Sequence, residues 1–153
     1  MNSWYECKVR YQKITDEGTI KSSQECYLID AYTVTEAEAR LIEEITPFTS
    51  NGEFTVSSIK KEKLTDLFLS EDPDATYLYR CKVNFISIDE KKGVEKRVPA
   101  TMIVKASSVL EAAKRIEKEM ASSISEWQIA SVSETNIVDI LWADGQGAAK
   151  SNE

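Results

Sequence analysis

The stretch Tyr5-Glu6-Cys7-Lys8-Val9-Arg10-Tyr11 is followed later in the chain by a close copy, Tyr79-Arg80-Cys81-Lys82-Val83-Asn84-Phe85. Cys, Lys and Val coincide, and an aromatic residue stands at both ends of each copy. The likeness extends through the following residues, where Ala31, Val34, Glu36, Ala37, Arg40 and Glu44 meet Ala106, Val109, Glu111, Ala112, Arg115 and Glu119. A repeat of this length indicates one structural unit used twice.

Each copy opens with a predicted β-hairpin. Residues 4–14 alternate apolar and polar side chains, as does their copy, which predicts half-buried strands. Gly18 and Gly93 follow in polar turns, where we expect positive φ. The returning strands, about 21–30 and 96–105, are apolar without alternation at their centres. That pattern indicates strands covered on both faces, or a second face held for a partner.

A helix follows each hairpin. Thr33–Glu36 and Ser108–Glu111 are both capping boxes, in which the hydroxyl accepts from the third helical N–H and the glutamate reaches back to the cap's own N–H. They predict helices over about 34–46 and 109–121. Glu36 and Arg40, and likewise Glu111 and Arg115, are four residues apart and can pair on the helix surface.

The end of each copy is less regular. Phe54–Ile59 and Trp127–Val132 alternate again and predict third strands. Residues 61–69 fit either a short helix or an extended segment, whereas 135–141 are rich in β-branched residues and indicate a strand. Because two copies of one unit should agree, we expect extended segments in both.

These elements predict an α+β fold: a tandem duplication of a ββαβ(β) unit, with two helices packed on a largely antiparallel sheet. The expected divisions are 1–69 and 77–142 for the two units, a linker at 70–76 and a disordered tail at 143–153. The first strand of each unit should lie between the second and third. We favour a joining of the units into one larger sheet over sheet-to-sheet packing, with one core shared between them.

Composition narrows the class of protein. The 153 residues carry a net charge of −7, which argues against sequence-independent binding to nucleic acid and against docking on anionic lipid. No apolar run approaches the ~20 residues that cross a bilayer, and the first residues do not resemble a secretory signal. The odd number of cysteines suits a reducing compartment, so a cytoplasmic protein is expected. A bridge between Cys7 and Cys26 across the first hairpin is the alternative.

Several segments resemble one known family: Cys7-Lys8-Val9-Arg10-Tyr11, Tyr27-Leu28-Ile29-Asp30-Ala31, Thr35-Glu36-Ala37-Glu38-Ala39-Arg40 and Gly52-Glu53-Phe54-Thr55-Val56. The chain is similar, up to about Leu141, to a domain-of-unknown-function family of short proteins from gut bacteria and their phages or mobile elements. The resemblance implies a bacterial or phage cytoplasmic setting, and it brings no activity and no catalytic residues.

The residues for common enzyme chemistry are missing from the sequence. Without histidine, neither a Ser–His nor a Cys–His pair can form, and the five glycines make no phosphate-binding loop. We therefore expect no enzyme, cofactor or metal site. Asp66 and Asp139 occupy equivalent positions, as do Glu53 and Glu126. A matched pair that met could bind a divalent metal or act as acid and base, but the ordinary interpretation is cap, turn or edge residues.

Basic residues mark the outward positions of the first strands: Lys8, Arg10, Arg80 and Lys82. Basic and aromatic residues on an open sheet can bind single-stranded nucleic acid, although a solvated strand face is the ordinary explanation. The sequence thus leaves two functional hypotheses. The first is a non-enzymatic interaction or accessory protein that binds a protein partner or self-associates through its sheet, and the second is a nucleic-acid-binding accessory protein.

Overall fold

The computed structural model describes residues 3–14, 16–49 and 53–143. The predicted tail lies outside them apart from Ala143. The elements in chain order are β1 (Ser3–Ile14), β2 (Ile20–Ala31), α1 (Val34–Ile45), a short 3₁₀ helix (Thr46–Phe48), β3 (Phe54–Glu62), β4 (Asp66–Phe68), β5 (Tyr77–Asp89), β6 (Val94–Ala106), α2 (Val109–Met120), β7 (Glu126–Glu134) and β8 (Ile137–Leu141). The α+β class and the ββαβ order of both repeats are confirmed.

The strands form two four-stranded sheets, ordered β3-β1-β2-β8 and β4-β6-β5-β7. As predicted, the first strand of each repeat lies between the second and third, and these pairs are antiparallel. The favoured single larger sheet is wrong. The free edge of β2 is taken by β8 and that of β6 by β4, both in parallel register, so these edges are not left for joining the sheets.

The last strand of each repeat is exchanged. β4 follows β3 directly in sequence, yet it pairs with β6 of the second repeat, and β8 pairs with β2 of the first. The folded units therefore differ from the sequence repeats: unit 1 combines the chain up to Lys63 with the segment from Asn136, and unit 2 is Leu64–Thr135. The predicted boundaries, with a linker at 70–76, follow the repeat instead, and those residues belong to unit 2. Both of the uncertain segments contain strands, as expected.

Local signals in the sequence specify the helices and turns. Thr33 Oγ1 accepts from Glu36 N–H at 3.1 Å, and Ser108 Oγ accepts from Glu111 N–H at 3.1 Å. The back-reach differs from the prediction, since Glu36 Oε2 accepts from Tyr32 N–H rather than from the cap itself. Both turn glycines have positive φ; that of Gly18 is 82°. Only a residue without a Cβ adopts this conformation at little cost.

Each unit has a hydrophobic cluster beneath its helix. The expected core shared between the units stays a prediction. In unit 1, Cys7, Val9 and Leu41 have no exposed surface, and in unit 2 the same holds for Cys81 and Ile116. The exchanged strands add to these clusters at equivalent positions, β8 through Leu141 and β4 through Phe68. Burial of these side chains stabilises each last strand at its sheet edge, in addition to the strand hydrogen bonds.

The centres of β2 and β6 are buried on both faces, as the continuous apolar runs predicted. Tyr27, Leu28 and Ile29 in β2 are buried, as are Ile103 and Val104 in β6. These strands therefore have no exposed apolar face at their centres. The hypothesis of association through the sheet has to rest on other surfaces.

Candidate binding crevice

Two equivalent arginines fasten the ends of the exchanged strands to the helices. On α2, Arg115 donates to the carbonyl of Leu69, directly after β4, at 2.9 Å, and its guanidinium lies 5.6 Å from the centre of the Phe68 ring. On α1, Arg40 donates to the carbonyl of Ala143, after β8, at 3.0 Å. Charged donors make the stronger hydrogen bonds in proteins. The same helix position thus holds the incoming strand in both units.

Glutamates orient these arginines, but not in the same way. Arg40 Nη2 lies 3.0 Å from Glu36 Oε1, the predicted pair. The corresponding prediction for α2 is wrong, because Arg115 Nε donates to Glu119 at 2.8 Å while Glu111 lies 3.6 Å from Lys114 Nζ. Arg115 is held from its C-terminal side and reaches towards β4.

A crevice of about 230 Å³ lies in unit 2, beside this arginine. One wall is a stripe of α2 that includes Arg115, and the other is formed by the end of β6 and the turn after β4. Its lining residues are Ser70, Asp72, Ala75, Lys105, Ala106, Ser107, Glu111, Lys114, Arg115 and Lys118. Four cations face two carboxylates here, so the crevice is locally positive on a chain whose net charge is −7. Positive lining in a concave site concentrates anions.

The two carboxylates of the crevice are occupied locally. Asp72 Oδ1 accepts from the N–H of Asp74 at 2.9 Å, and Glu111 is paired with Lys114. Lys105 and Lys118 have no ion pair or side-chain hydrogen bond among the described residues. The hydroxyl of Ser107 likewise has no partner there. These ammonium and hydroxyl groups remain available to donate to a ligand.

The same positions in unit 1 have the opposite character. In the repeat alignment, Asp30 corresponds to Lys105, Ala39 to Lys114, and Glu43 to Lys118. These three equivalent positions carry two carboxylates and an alanine in unit 1 and three lysines in unit 2, whereas the arginine on the helix is the same in both. The two units share the arginine that holds the exchanged strand, and they differ in the charge of the side chains around it.

Asp30 also has a structural contact that a lysine cannot make. Its Oδ2 accepts from the backbone N–H of Ala143 at 3.4 Å, just after β8. Lysine carries donors only, so Lys105 cannot accept from the chain that follows β4. Instead, Ser70 Oγ accepts from Asp72 N–H in a turn of its own. Lys105 therefore lines a crevice and does not bind the backbone that follows β4.

The basic residues predicted from the sequence lie on the sheet faces away from the helices. Lys8 and Arg10 belong to unit 1 and are exposed, and Lys8 lies opposite Cys26 and Ser58 in the strand register. Lys82 of unit 2 is exposed and Arg80 half-buried. The two pairs belong to different units. The structure brings together a different set of cations at the crevice: Lys105, Lys114, Arg115 and Lys118.

The candidate carboxylates are also divided between the units. Asp66 lies in β4 of unit 2, where burial, followed by the charge of Glu119, raises its pKa. Asp139 lies in β8 of unit 1 and accepts from the N–H of Ile140 at 2.8 Å. Glu53 and Glu126 are exposed at the starts of β3 and β7. Among the described residues, no group of three potential metal ligands is present.

The three cysteines are free and buried thiols. Burial, then the charge of Glu6, raises the pKa of Cys7 to about 12, and burial alone raises that of Cys81 to about 11. Cys26 pairs across the hairpin with Lys8, so it faces the side opposite Cys7. The alternative of a Cys7–Cys26 bridge is wrong for this reason. Such thiols remain protonated at neutral pH and are poor nucleophiles.

Sequence reasoning missed the crevice because it searched for likeness between the repeats. A position-by-position comparison of charge would have found Lys105, Lys114 and Lys118 as the positions where the second copy departs from the first. That these positions border one concavity depends on the placement of β4, which the sequence does not specify.

The comparisons with known proteins identify a family but no relative of known function. Residues 3–143 match the family described as a domain of unknown function, DUF4494. No curated protein matches the chain. Within the described residues, both helices are too short and too polar for a membrane crossing.

Proposed function

Since the chain belongs to the DUF4494 family, whose description carries no activity, we propose from its own surface that it is a non-enzymatic interaction protein. Its partner is a protein that presents an anionic group to the crevice of unit 2. The observation that carries this proposal is the replacement of Asp30, Ala39 and Glu43 by lysines at the equivalent positions of the second repeat. Opposite charge favours encounter and register in protein association.

Exposed apolar side chains near the crevice supply the rest of a protein-binding surface. Leu110 and Val109, on the first turn of α2, are 63% and 50% exposed, and Tyr77, which lies opposite Ala106 in the sheet register, is 50% exposed. Apolar and aromatic contacts at the centre with charge around them are the usual composition of an interface. An acidic partner with an apolar side chain beside its anionic group fits this surface.

Three further properties agree with the proposal. The thiols have raised pKa values and lack the character of catalytic nucleophiles. Free buried cysteines fit a reducing cytoplasm, where we place the protein. A bacterial or phage source is the setting that the resemblance implies.

The test compares three forms of the tagged protein expressed in the source cells. One is the wild type. The second carries Lys105→Asp, Lys114→Ala and Lys118→Glu, which gives unit 2 the residues of unit 1. The control carries Lys91→Asp, Lys92→Ala and Lys96→Glu, the same changes of charge at exposed positions around the β5–β6 turn. Matched charge changes separate a local effect from the overall charge.

We expect a protein that co-purifies with the wild type and the control and is lost from the crevice variant. Its identity is then checked by reconstitution from purified components and by an affinity that falls with salt. Sedimentation of the purified chain at micromolar concentration reports whether a second copy is that partner. Equal recovery of all bound proteins by the crevice variant and the control would refute the proposal.

Nucleic acid is the second candidate, and the exposure of Lys8, Arg10 and Lys82 favours it. On the same face of unit 1, however, Glu6 lies between Leu28 and Lys60 in the strand register, which lowers the local positive charge. Binding to single-stranded oligonucleotides should weaken from 50 to 200 mM salt and be reduced by Lys8→Glu with Arg10→Glu. No binding at the lower salt would remove this candidate.

A further inference from the structure

The positive lining of the crevice selects among anions. Its free donors are the ammonium groups of Lys105 and Lys118 and the hydroxyl of Ser107, and Lys114 adds a third ammonium that is shared with Glu111 at 3.6 Å. These are point donors on flexible or rotating groups that lie around a common volume. They suit a compact anion with several oxygens better than a flat one.

The guanidinium that would favour a carboxylate is already engaged. Arg115 donates to Leu69 O and Glu119 Oε1, so the two-pronged geometry that matches a planar carboxylate is used inside the protein. Lysines without such a fork bind phosphate as point charges. A phosphate group carries close to two negative charges at neutral pH, and a carboxylate carries one.

The size of the crevice limits what it can enclose. Its volume, about 230 Å³, is below the ~300–1,000 Å³ that is usual for pockets enclosing a whole drug-sized ligand. It is open to solvent at exposed Lys114 and Lys118. A single charged group can enter while the remainder of a larger ligand stays outside.

We infer that the crevice is a phosphate-group site and that its ligand is a phosphorylated side chain of a partner protein. The inference rests on the proposed function, since it assigns the chemistry of the anionic group that the crevice receives. The phosphate oxygens accept from Lys105, Lys114, Lys118 and Ser107, while the peptide on either side of the phosphorylated residue lies against exposed Leu110. No covalent step is involved.

Unit 1 serves as an internal negative control. The equivalent surface carries Asp30 and Glu43, which repel a phosphate, and Asp30 accepts the N–H of Ala143. One site for each chain is therefore expected, although the fold is duplicated. Titration should give a stoichiometry of one phosphorylated peptide per chain.

The experiment measures peptide affinity by calorimetry on the full purified chain in 100 mM salt. The probes are three versions of one peptide, Gly-Ser-rich with a central leucine beside phosphoserine, glutamate or unmodified serine. We expect the phosphoserine peptide to bind at least about tenfold more tightly than the glutamate peptide, because it offers a second charge and additional acceptor oxygens. Inorganic phosphate should compete, which separates recognition of the group from recognition of the peptide.

The Lys105→Asp, Lys114→Ala, Lys118→Glu variant should lose this binding at least about tenfold, while the Lys91→Asp, Lys92→Ala, Lys96→Glu control retains it. Unit 1 already carries the substituted residues at these places, and the thermal transition of each variant verifies that it is folded. Single replacement of Ser107 by Ala should give a smaller loss.

Failure of the inference can be told apart from failure of the proposed function. If the phosphoserine and glutamate peptides bind equally, or neither binds, the phosphate assignment is wrong. Co-purification of a partner that depends on the three lysines would then still support an acidic protein ligand. If phosphoserine binding survives the triple substitution unchanged, the phosphate is bound elsewhere and the crevice assignment is overturned.

Discussion

The two folded units share one strand-holding contact and differ in the charges beside it. Arg40 in unit 1 and Arg115 in unit 2 both bind a backbone carbonyl just after the exchanged strand. Beside them, unit 1 places Asp30 and unit 2 places Lys105. The shared arginines hold the exchanged strand against the helix, and the differing positions lie next to them, at the end of β2 or β6 and on the exposed side of the helix. The proposed binding surface of unit 2 would thus lie beside the same strand-holding contact that unit 1 has.

The equivalent arginines of the two units both act on the exchanged strands. A strand of three residues, as in β4, has few hydrogen bonds of its own to fix it at a sheet edge. Parallel pairing with β6, burial of Phe68 and the Arg115 contact act together on it. In unit 1 the longer β8 receives the same support from Arg40 and Leu141. The units differ here in strand length and in one contact: Asp30 accepts from the N–H of Ala143 after β8, and Lys105 cannot make the equivalent bond.

The largest effect should come from truncating the helix residues that lie over the sheets. Leu41 and Ile116 occupy equivalent positions and have no exposed surface. We expect Leu41→Ala and Ile116→Ala each to lower the free energy of unfolding by ~2–5 kcal/mol, since each leaves a cavity. Chemical denaturation measures the loss. Leu110→Ala, at an exposed site on α2, should stay within ~0.5 kcal/mol, and a comparable loss there would mean that the helix face has been misassigned.

The arginine contacts should show which unit each one stabilises. Arg115→Met removes a charged donor from Leu69 O, and Arg40→Met removes one from Ala143 O. The expected loss is ~1–3 kcal/mol for each, because a hydrogen-bonded carbonyl loses its partner. Amide hydrogen exchange should increase in β4 for the first variant and in β8 for the second.

The exposed Arg97, 4.0 Å from Glu95, provides the control for both variants. Arg97→Met should leave amide hydrogen exchange in β4 and in β8 unchanged, since an exposed ion pair of this kind contributes little to stability. If either arginine substitution increased amide hydrogen exchange equally in β4 and β8, the assignment of one arginine to one unit would be wrong.

Much of this frame could be predicted from the sequence because it is encoded locally. The hairpins follow from alternation and from glycines that need positive φ, and the helices from Thr33 and Ser108, whose side chains act within one turn. The antiparallel neighbours follow from the shortness of the hairpin turns. Signals of this kind require no knowledge of distant residues.

The strand exchange and the crevice depend on distant residues, which is why they were missed. Whether β4 pairs with β2 or with β6 is a choice between two sheet edges, and both strands are apolar at their centres. Apolar content therefore does not discriminate between them. The crevice in turn exists only where Ser70 and Ala75, after β4, approach Lys105 at the end of β6. The sequence shows each of its lysines, but it does not show that they lie close together.

Alkaline pH should reveal a difference between the units through their thiols. Burial raises the pKa of Cys7 and Cys26 to about 12 and that of Cys81 to about 11, against an ordinary value near 9. The folded chain therefore holds these protons more tightly than the unfolded chain. The free energy of unfolding is highest below pH 9 in this respect and falls as the pH rises from about 9 to about 12, the last part through Cys7 and Cys26. Each thiol contributes a slope of up to ~1.4 kcal/mol per pH unit.

Single Cys→Ala variants measure these slopes by denaturation at several pH values. Cys7→Ala and Cys26→Ala should each reduce the slope up to about pH 12, whereas Cys81→Ala should reduce it only up to about pH 11. The overall stability of a variant can differ from the wild type through packing, and the slope is the informative quantity. An unchanged slope in all three variants would show that the thiols do not titrate differently in the folded and unfolded chain.

The smallest effects should come from the helix caps, where the two units are most alike. Thr33→Ala and Ser108→Ala each remove a 3.1 Å bond from the third helical N–H, and each should cost ~1 kcal/mol. Exchange of the two residue types, Thr33→Ser and Ser108→Thr, retains the acceptor and should be close to neutral in denaturation experiments. If the cap of one helix alone proved important, the units would differ in their folding as well as in their surfaces. Equal losses in free energy would mean that the two helix caps contribute the same stability in both units. The difference between the units would then lie in surface residues such as the crevice lysines.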